Sequence, residues 1–531
     1  MMKLPVGMQT FKEIVENGYI YVDKTQYIFN LINGVKYYFL SRPRRFGKSL
    51  LLDTIGEVFH GDKELFKKFW IYDSGYDFIK YPVIKLDMSN IPNDSPEMFQ
   101  ASLLFDLKLT LEDEKIKIAD DGYPPNILKG LIRALHKKYG QKVVVLVDEY
   151  DKPILDHIDN REVAEANRQI LRGFYGIIKS LDPYLRFVFI TGVSKFTKTS
   201  IFSGLNNLSD ITMSENYANI CGIAVEDLNK YFRSHIENLS EKESLKHYEC
   251  IYDEIIKWYD GYSWDGKTKV LNPFSLLNFL FQERFYGFWY ASGTPKFLLD
   301  IVKKNPEAYA NRGSIIINEN MLDSIEIDNI AIEPLLFQTG YLTVKNITHT
   351  ASAPVYILDT PNFEVKEAFN LHIISALTDN DSVKTGRMRL AIDRALHAGD
   401  LRDMLEILRG FFASIPYNLH IDQEAYYHSI FFAFMNALGF DMSVEVSVSK
   451  GRIDAVLELD EKVYIMEFKY INCPHDASDE KKRKLFDDAL SAAVRQLIDR
   501  GYSGKYKGSC KTIYQAAFAF LGRGEIEMTI I

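Results

Sequence analysis

The first 190 residues of the chain alternate between short apolar runs and longer segments with helical spacing. The apolar runs cover residues 37–40, 82–86, 143–147 and 187–190. Runs of this kind, which lack the polar residue at every second position of a half-exposed strand, are typical of parallel strands covered by helices on both faces. The pattern therefore predicts an α/β domain with a parallel sheet over the first 210 or so residues.

The length and charge of the chain limit what else it can be. A chain of 531 residues is too long for one hydrophobic core. The formal net charge is -9, so any contact with nucleic acid must come from a local patch, such as the basic run at residues 481–484. Four widely spaced cysteines, no signal-like apolar start and no long uncharged apolar stretch predict a soluble, cytoplasmic protein without membrane contact.

Changes of pattern divide the chain into four predicted regions, which cover residues 1–215, 216–305, 306–400 and 401–531. The second is helical and lid-like. The third combines a helix with strands at residues 340–344 and 355–358, typical of a winged-helix unit, and ends in a helical connector. For the fourth we expect a mixed α/β domain of a helix, two strands joined by a short turn, a helix and a final strand at residues 512–521.

A phosphate-binding loop is predicted where the first apolar run passes into a helix, in the sequence SRPRRFGKS. Backbone N–H groups at a helix start attract phosphate, Lys48 can reach the β- and γ-phosphates, and the hydroxyl of Ser49 can ligate Mg²⁺. The common template is GxxxxGK[ST]. Arg42 stands at its first glycine, so the match at Gly47 to Ser49 is degenerate and by itself no better than chance.

The apolar run at residues 143–147 ends in Asp148 and Glu149, which strengthens this prediction. One carboxylate there would lie beside Mg²⁺, and the second would polarise a water for attack on the γ-phosphate. The alternative is a buried strand with a polar end. The run at residues 187–190 also ends in polar residues, and its Ser194 either senses the γ-phosphate or simply closes a strand.

At this point the sequence resembles the bacterial AAA-ATPase-like family. The resemblance rests on Gly7, Phe11 and Ile14 before YVDKT at residues 21–25, RPRRFGKS at 42–49, DEYDKP at 148–153 and TGVSKFTKTSIFSGLNNL at 191–208. It implies a P-loop fold that binds ATP and Mg²⁺. In that fold Lys48 would contact phosphate, Ser49 and Asp148 would bind Mg²⁺, and Glu149 would act as the water-activating base.

Two arginines in the loop have several readings. Arg44 and Arg45 either bind phosphate, act as an arginine finger in cis or from a neighbouring copy, or are solvated loop charges. An arginine supplied by a neighbour would imply a homo-oligomer, either a ring or a dimer. The altered loop also favours a site that binds ATP as a switch and hydrolyses it slowly.

A second constellation lies near the C-terminus, where residues 451–459 and 462–469 alternate around a two-residue turn. Pairing across that turn places Asp454 opposite Glu467, with Lys469 on the same face. Opposed carboxylates repel each other unless a cation lies between them. The pattern predicts Mg²⁺ or Mn²⁺ on Asp454 and Glu467, with Lys469 orienting a water for phosphodiester hydrolysis. The alternative is a charged hairpin face that Arg452 and Lys469 neutralise.

The region around this hairpin resembles the PD-(D/E)xK nuclease superfamily, and in particular the nuclease-like domain that follows AAA-ATPase-like domains in bacterial chains. The resemblance rests on a glutamate in the first helix, the GRxD and ExK segments, and a glutamine-containing helix ending in Gly-Tyr. In this sequence it implies catalytic roles for Glu424, Asp454, Glu467, Lys469 and Gln496. Ile453 replaces the proline of the motif.

The leading hypothesis is therefore a metal-dependent nuclease, acting on DNA in preference to RNA, that ATP binding gates or powers. The joined modules also suggest bacterial defence, an inference from architecture alone. Two alternatives stay open at this point. One is an ATP-dependent regulatory switch or nucleic-acid-binding protein whose nuclease-like domain is inactive, and the other is a nuclease acting on RNA.

Overall fold

The structure of the protein, a computed structural model, describes most of the chain. The described residues are 2–195, 201–202, 205–240, 248–291, 315–318, 322, 332–349, 353–369, 382–415, 424–438, 440, 442–448, 451–459, 461–473, 477–506, 511–521 and 525–531. They form two compact units, one comprising the described residues up to 291 together with 315–365, and the other those from 366 onward. Each unit is described by itself.

The first unit is built on a five-stranded sheet with the strand order β2-β3-β4-β1-β5. Its strands are β1 (Tyr37–Ser41), β2 (Val83–Asp87), β3 (Val143–Asp148), β4 (Leu185–Gly192) and β5 (Ser209–Asp210). Every pair of neighbours runs parallel. β1 and β3 are buried at every residue. These findings confirm the α/β fold class and the parallel sheet predicted from the apolar runs.

Helices connect these strands and extend the unit beyond the sheet. They are α1 (Phe11–Glu16), α2 (Thr25–Asn33), α3 (Lys48–His60), α4 (Pro96–Asp113), α5 (Pro124–Tyr139), α6 (Lys152–Leu155), α7 (Arg161–Gly176), α8 (Val225–Asp227), α9 (Arg233–Ser240), α10 (Tyr248–Tyr259), α11 (Pro273–Gln282) and α12 (Phe288–Ala291). α3 follows β1 and lies between two glycines with left-handed backbone, at φ 86° and 82°. Glycine adopts this conformation without strain, which fixes both ends of the helix.

A small antiparallel sheet with the order β6-β8-β7 completes the first unit. It consists of β6 (Ile315–Asn318), β7 (Thr343–His349) and β8 (Pro354–Asp359), and the helix α13 (Ile332–Thr339) precedes β7. The predicted helix and the strand predicted at residues 355–358 agree with α13 and β8. The strand predicted at residues 340–344 overlaps β7 only at Thr343 and Val344, and β6 was missed. The winged-helix assignment stays a prediction.

The second unit is built on a mixed sheet with the order β13-β12-β11-β10-β9. Its elements are α14 (Ser382–Ala398), α15 (Leu401–Ala413), α16 (Glu424–Ala437), β9 (Met442–Val448), β10 (Gly451–Glu458), β11 (Lys462–Ile471), α17 (Asp479–Arg500), β12 (Thr512–Leu521) and β13 (Glu525–Ile530). β11 and β12 are parallel, and the other neighbours are antiparallel. The mixed α/β class is confirmed.

The expectation that β12 is the final strand was wrong, because β13 follows it and pairs with it antiparallel. β13 lies at the sheet edge, and Ile526 is its one fully buried residue. An edge strand with so little burial shows no apolar run in the sequence. β9 was missed as well. In the part of the chain that the structure describes, no helix is both long and apolar enough to cross a membrane.

Candidate nucleotide and metal sites

The predicted phosphate loop joins β1 to α3 and is bent by two residues with left-handed backbone. Arg45 has a φ of 70° and Gly47 a φ of 86°. α3 then begins at Lys48, so the backbone N–H groups of its first turn face the loop. The ammonium of Lys48 donates hydrogen bonds to the carbonyl oxygens of Arg42 (2.9 Å) and Pro43 (3.0 Å). The lysine is therefore folded across its own loop, and Ser49 follows it, half-buried, in α3.

Arg42, at the position of the template glycine, is fully buried. Its guanidinium donates to the carbonyl oxygens of Ser41 and Thr212, both at 2.8 Å. It also stacks on Trp264, 3.8 Å from the ring centroid. Burial lowers the pKa of Arg42 to about 10, so the side chain is still charged at neutral pH. The missing glycine is thus replaced by a cation that anchors the loop, a role that the glycine template does not indicate.

The two carboxylates predicted at the end of β3 lie on this side of the sheet. Thr191, on the neighbouring strand β4, donates its hydroxyl to Asp148 Oδ1 at 2.5 Å, and the N–H of Glu149 donates to the same oxygen at 3.0 Å. Burial raises the pKa of Glu149, while the nearby Lys48 ammonium and Arg44 guanidinium act to lower it. Lys48, Asp148 and Glu149 are therefore brought together, as nucleotide hydrolysis would require.

Ser194 is fully buried at the end of β4, and its hydroxyl is held by Asp151. The Ser194 hydroxyl and N–H donate to Asp151 Oδ2 at 2.5 Å and 2.6 Å. Burial raises the pKa of Asp151, and these hydrogen bonds oppose the rise. Sequence reasoning missed Asp151, although it lies in the DEYDKP segment. The residues of the TGVSKFTKTSIFSGLNNL stretch at 196–200 and 203–204 lie outside the described residues.

The side chains of Arg44 and Arg45 are exposed. The backbone of this part of the loop is nevertheless anchored by a hydrogen bond. The carbonyl oxygen of Arg44 accepts a hydrogen bond from the indole N–H of Trp289 at 3.2 Å. The guanidinium of Arg45 lies 4.7 Å from the ring centroid of Phe274. Both charges are therefore accessible at the mouth of the loop, where a phosphate group would approach.

The predicted hairpin of the second unit has the expected register. Ala455 pairs with Met466 and Glu458 with Val463, and the Leu459 N–H donates to the Lys462 carbonyl oxygen at 2.8 Å. The turn residue Asp460 lies outside the described residues. The paired register of the two strands ends at Ala455 and Met466, and Asp454 and Glu467 are the next residues on their strands.

Three groups predicted to carry chemistry meet at this point of the hairpin. Asp454 Oδ2 accepts the Phe468 N–H at 2.9 Å, and the Lys469 ammonium lies 3.4 Å from Glu467 Oε1. The Glu467 side chain is fully buried. Burial and the neighbouring Asp454 carboxylate raise the pKa of Glu467 to about 7, and the Lys469 ammonium opposes this. The hairpin therefore brings Asp454, Glu467 and Lys469 together.

The donor set at this point fits a divalent cation. Glu467 Oε2 is buried and has no hydrogen-bond partner among the described residues. A buried carboxylate oxygen in that state is costly unless a cation binds it, and carboxylate oxygens are the ligands that Mg²⁺ prefers. Among the described side chains, no group of three or more His, Cys, Asp or Glu residues surrounds one position. Among the described residues, the carboxylates that could hold such a cation are therefore the pair Asp454 and Glu467.

The other two predicted residues lie on helices of the second unit. Glu424 is the first residue of α16, and its side chain lies outside the described ones. Gln496 lies on α17, and its amide donates to the Tyr502 hydroxyl at 3.5 Å. That hydroxyl donates to the Arg452 carbonyl oxygen at 2.6 Å. Gln496 and Tyr502 thus connect the end of α17 to the strand that carries Asp454.

Comparison with known proteins identifies both parts of the chain. The model of the predicted AAA-ATPase family matches residues 5–202, and that of the PD-(D/E)XK nuclease superfamily matches residues 422–528. An uncharacterized protein in the vnfD 5′ region of Azotobacter chroococcum mcd 1 is 36% identical over 530 residues, which cover 98% of this chain and 96% of the relative. The chain belongs to the AAA-ATPase-like proteins with a C-terminal PD-(D/E)XK nuclease superfamily domain.

The matched ranges of this AAA-ATPase-like protein contain the residues described above. Residues 5–202 include the loop and both strand ends, and residues 422–528 include Glu424, the hairpin and Gln496. Among solved structures, the Aeropyrum pernix ORC2 protein (ADPNP-ADP complexes) is similar at 12% identity, with 68% of this chain and 98% of that chain covered and a TM-score of 0.27.

Proposed function

We propose that this AAA-ATPase-like protein is a nucleotide-controlled, metal-dependent nuclease that cleaves phosphodiester bonds in DNA. The observation that carries the proposal is the buried Glu467 carboxylate, which lies beside the Asp454 carboxylate and 3.4 Å from the Lys469 ammonium. Few structural hairpins need two opposed carboxylates beside a lysine, since the arrangement destabilises the hairpin itself. Phosphodiester hydrolysis has a use for all three groups.

In this proposal Asp454 and Glu467 hold Mg²⁺ or Mn²⁺, and Glu424 adds a third carboxylate. The bound metal supplies an activated water and stabilises the negative charge that develops on the phosphate. The Lys469 ammonium, which is already protonated, orients that water. Gln496, through Tyr502, keeps α17 against the strand that bears Asp454.

ATP with Mg²⁺ occupies the phosphate loop of the first unit in this proposal. Gly47 and Lys48 contact the phosphates, Ser49 and Asp148 hold Mg²⁺, and Glu149 activates water. Ser194 acts at the γ-phosphate through its link with Asp151. Lys48 must first leave the carbonyl oxygens of Arg42 and Pro43, which favours slow turnover and a switching role.

In this proposal the exposed arginines of the loop also bind the nucleotide. Arg44 or Arg45 would contact the γ-phosphate, either of its own chain or of a neighbouring copy in a homo-oligomer.

The proposed domains of the protein are the four regions 1–215, 216–305, 306–400 and 401–531. Nucleotide control of DNA cleavage suits a cytoplasmic protein of bacterial defence.

Incubation of the full chain with supercoiled plasmid DNA tests this proposal. Mg²⁺ or Mn²⁺ is supplied, each with and without ATP. We expect cleavage when metal is present, and we expect the extent of cleavage to change when ATP is added. A parallel reaction with single-stranded RNA separates the two substrate classes. Intact DNA and RNA under all conditions, with ATP still bound, would replace the nuclease by a regulatory ATP switch whose nuclease-like domain is inactive.

A further inference from the structure

The phosphate loop is clamped by aromatic residues more than two hundred positions further along the chain. The ring of Phe46 meets Tyr262 edge-on at 4.7 Å and Trp264 at 5.6 Å between centroids. Trp264 also carries the stacked Arg42 guanidinium, and the indole of Trp289 holds the carbonyl oxygen of Arg44. The loop is therefore shaped by this downstream segment of the same compact unit as much as by its own turn.

The C-terminal end of helix α13 touches both sides of the candidate nucleotide site. Gly340 follows the helix with a φ of 94°, and a Cβ added there would lie 2.8 Å from Pro43 Cβ. Two residues earlier, Gln338 Oε1 accepts the N–H of Lys195 at 2.7 Å. Pro43 belongs to the phosphate loop, and Lys195 directly follows Ser194 at the end of β4. One short stretch thus contacts the loop and the neighbouring strand end together.

On the side that faces Gly340, Pro43 leaves too little space for even one added methyl group. Lys48 donates to the carbonyl oxygens of Arg42 and Pro43, so it must exchange these bonds for phosphate oxygens when a nucleotide binds. We expect the peptide groups of Arg42 and Pro43 to shift once they lose their hydrogen bonds to the lysine. Pro43 is in close contact with Gly340 on one side, so its shift reaches that residue. Close-packed interiors transmit such shifts, since a neighbour must move when no void can absorb the change.

We propose that α13 and Trp289 sense the phosphate loop, so that nucleotide binding changes the position of α13 through the contact between Pro43 and Gly340 and the hydrogen bond from Trp289 to Arg44. The inference rests on the proposed nucleotide site and adds the element that responds to it. Coupling between two sites is reciprocal. If nucleotide binding shifts α13, a change that shifts α13 must in turn alter nucleotide affinity. A substitution at residue 340 should therefore alter nucleotide affinity through its contact with Pro43.

Nucleotide affinity of matched glycine variants tests the coupling. Gly340→Ala places a methyl group against Pro43, whereas Gly75→Ala has a similar φ of 82° with nothing within 4 Å. The backbone strain is therefore comparable, and the two variants differ in the contact with the loop. We expect Gly340→Ala to weaken the binding of a fluorescent ATP analogue at least tenfold and Gly75→Ala to stay within twofold of the unaltered chain. Equal affinities of the two variants would overturn the proposal.

A gentler pair of variants covers the case in which Gly340→Ala fails to fold. Trp289→Phe keeps a ring but deletes the N–H that holds the Arg44 carbonyl oxygen, and Trp70→Phe makes the same change at a site that is 43% exposed. We expect nucleotide binding to weaken several-fold in Trp289→Phe and to be unchanged in Trp70→Phe. Unchanged binding in both variants would count against the coupling.

Amide hydrogen exchange of the unaltered chain separates failure of this inference from failure of the nucleotide site. With Mg²⁺ and ATP, peptides covering residues 332–345 are expected to change their exchange rates, and the Lys48→Ala chain is expected to show no change. If nucleotide binds and these peptides exchange as before, the coupling is wrong and the nucleotide site stands. If the unaltered chain binds no nucleotide at all, the proposed site itself is wrong and the coupling with it.

Discussion

The fully buried carboxylate of Glu467, on β11, lies close enough to Asp454, on the neighbouring strand β10, for the Asp454 carboxylate to raise its pKa. Holding the half-buried Asp454 carboxylate beside the fully buried Glu467 carboxylate is costly in the metal-free protein. Removing one charge or adding a divalent cation should relieve it. This relationship gives the first two predictions.

Replacing Glu467 by glutamine is expected to stabilise the metal-free protein at pH 8 but not at pH 5. In the folded state the pKa of Glu467 is raised to about 7 from its ordinary value of 4.5, so the folded state keeps this proton to a higher pH than the unfolded chain does. The resulting stability is present below about pH 4.5 and is lost as the pH rises to about 7. The glutamine variant has no carboxyl group to titrate at this position and so does not lose this stability. Relative to the unaltered chain, its free energy of unfolding is expected to rise by roughly 2 to 3 kcal/mol between pH 5 and pH 8. Urea unfolding in EDTA measures it.

The control for this prediction lies on the neighbouring strand β10. The side chain of Glu458 is 51% exposed and pairs with Lys511 at 3.2 Å. Exposed pairs contribute little to stability, so Glu458→Gln is expected to shift the free energy of unfolding by less than about 1 kcal/mol at either pH. A pH effect as large as that of Glu467→Gln would show that the buried pair is not its source.

Mg²⁺ or Mn²⁺ should stabilise the unaltered protein at pH 8 and leave the Asp454→Asn variant unaffected. A ligand that binds only the folded state at about a hundred times its dissociation constant adds roughly 3 kcal/mol. Asp454→Asn removes one of the two described carboxylates of the site and so most of the affinity. Thermal unfolding in the presence of each metal measures the shift, and equal shifts in both proteins would contradict the assigned ligands.

Lys48→Ala is expected to weaken nucleotide binding at least a hundredfold, because it removes the charged group that reaches the phosphates. Lys12→Ala is the matched control, since the Lys12 side chain is 53% exposed on α1 and pairs with Glu16. Titration with a fluorescent ATP analogue compares the two. Retained binding in the Lys48 variant would exclude the loop as the phosphate site.

Arg42→Gly, which restores the template glycine, should destabilise the protein instead of improving the site. It deletes a fully buried side chain and leaves the carbonyl oxygens of Ser41 and Thr212 without their donor. Such losses cost on the order of 3 kcal/mol or more. Thermal unfolding of the variant is expected to occur well below that of the unaltered chain. An unchanged unfolding temperature would show that the stacked arginine has no structural role.

The elements that sequence reasoning found are those with strong local signals. The buried runs at β1 and β3 predicted the parallel sheet, and the tight turn after Leu459 fixed the hairpin register, which in turn placed Asp454 and Glu467. Local pairing rules suffice for such features because neighbouring residues determine them.

The features that were missed depend on distant parts of the chain. Arg42 gains its role from Thr212 and Trp264, and Ser194 is held by Asp151, contacts that no spacing rule contains. β13 was missed because an edge strand with one buried residue carries no apolar pattern. Tertiary contacts, and not local propensity, decide these positions.

Plasmid cleavage by the Lys469→Ala variant tests the proposed nuclease most directly. Lys469 lies 3.4 Å from the buried Glu467, whereas Lys511 pairs with the exposed Glu458 at the other end of the hairpin. With Mn²⁺ and ATP, we expect plasmid cleavage by the unaltered chain and by Lys511→Ala. The cleavage rate of Lys469→Ala is expected to be at least a hundredfold lower. Cleavage by Lys469→Ala at the rate of the unaltered chain would contradict it.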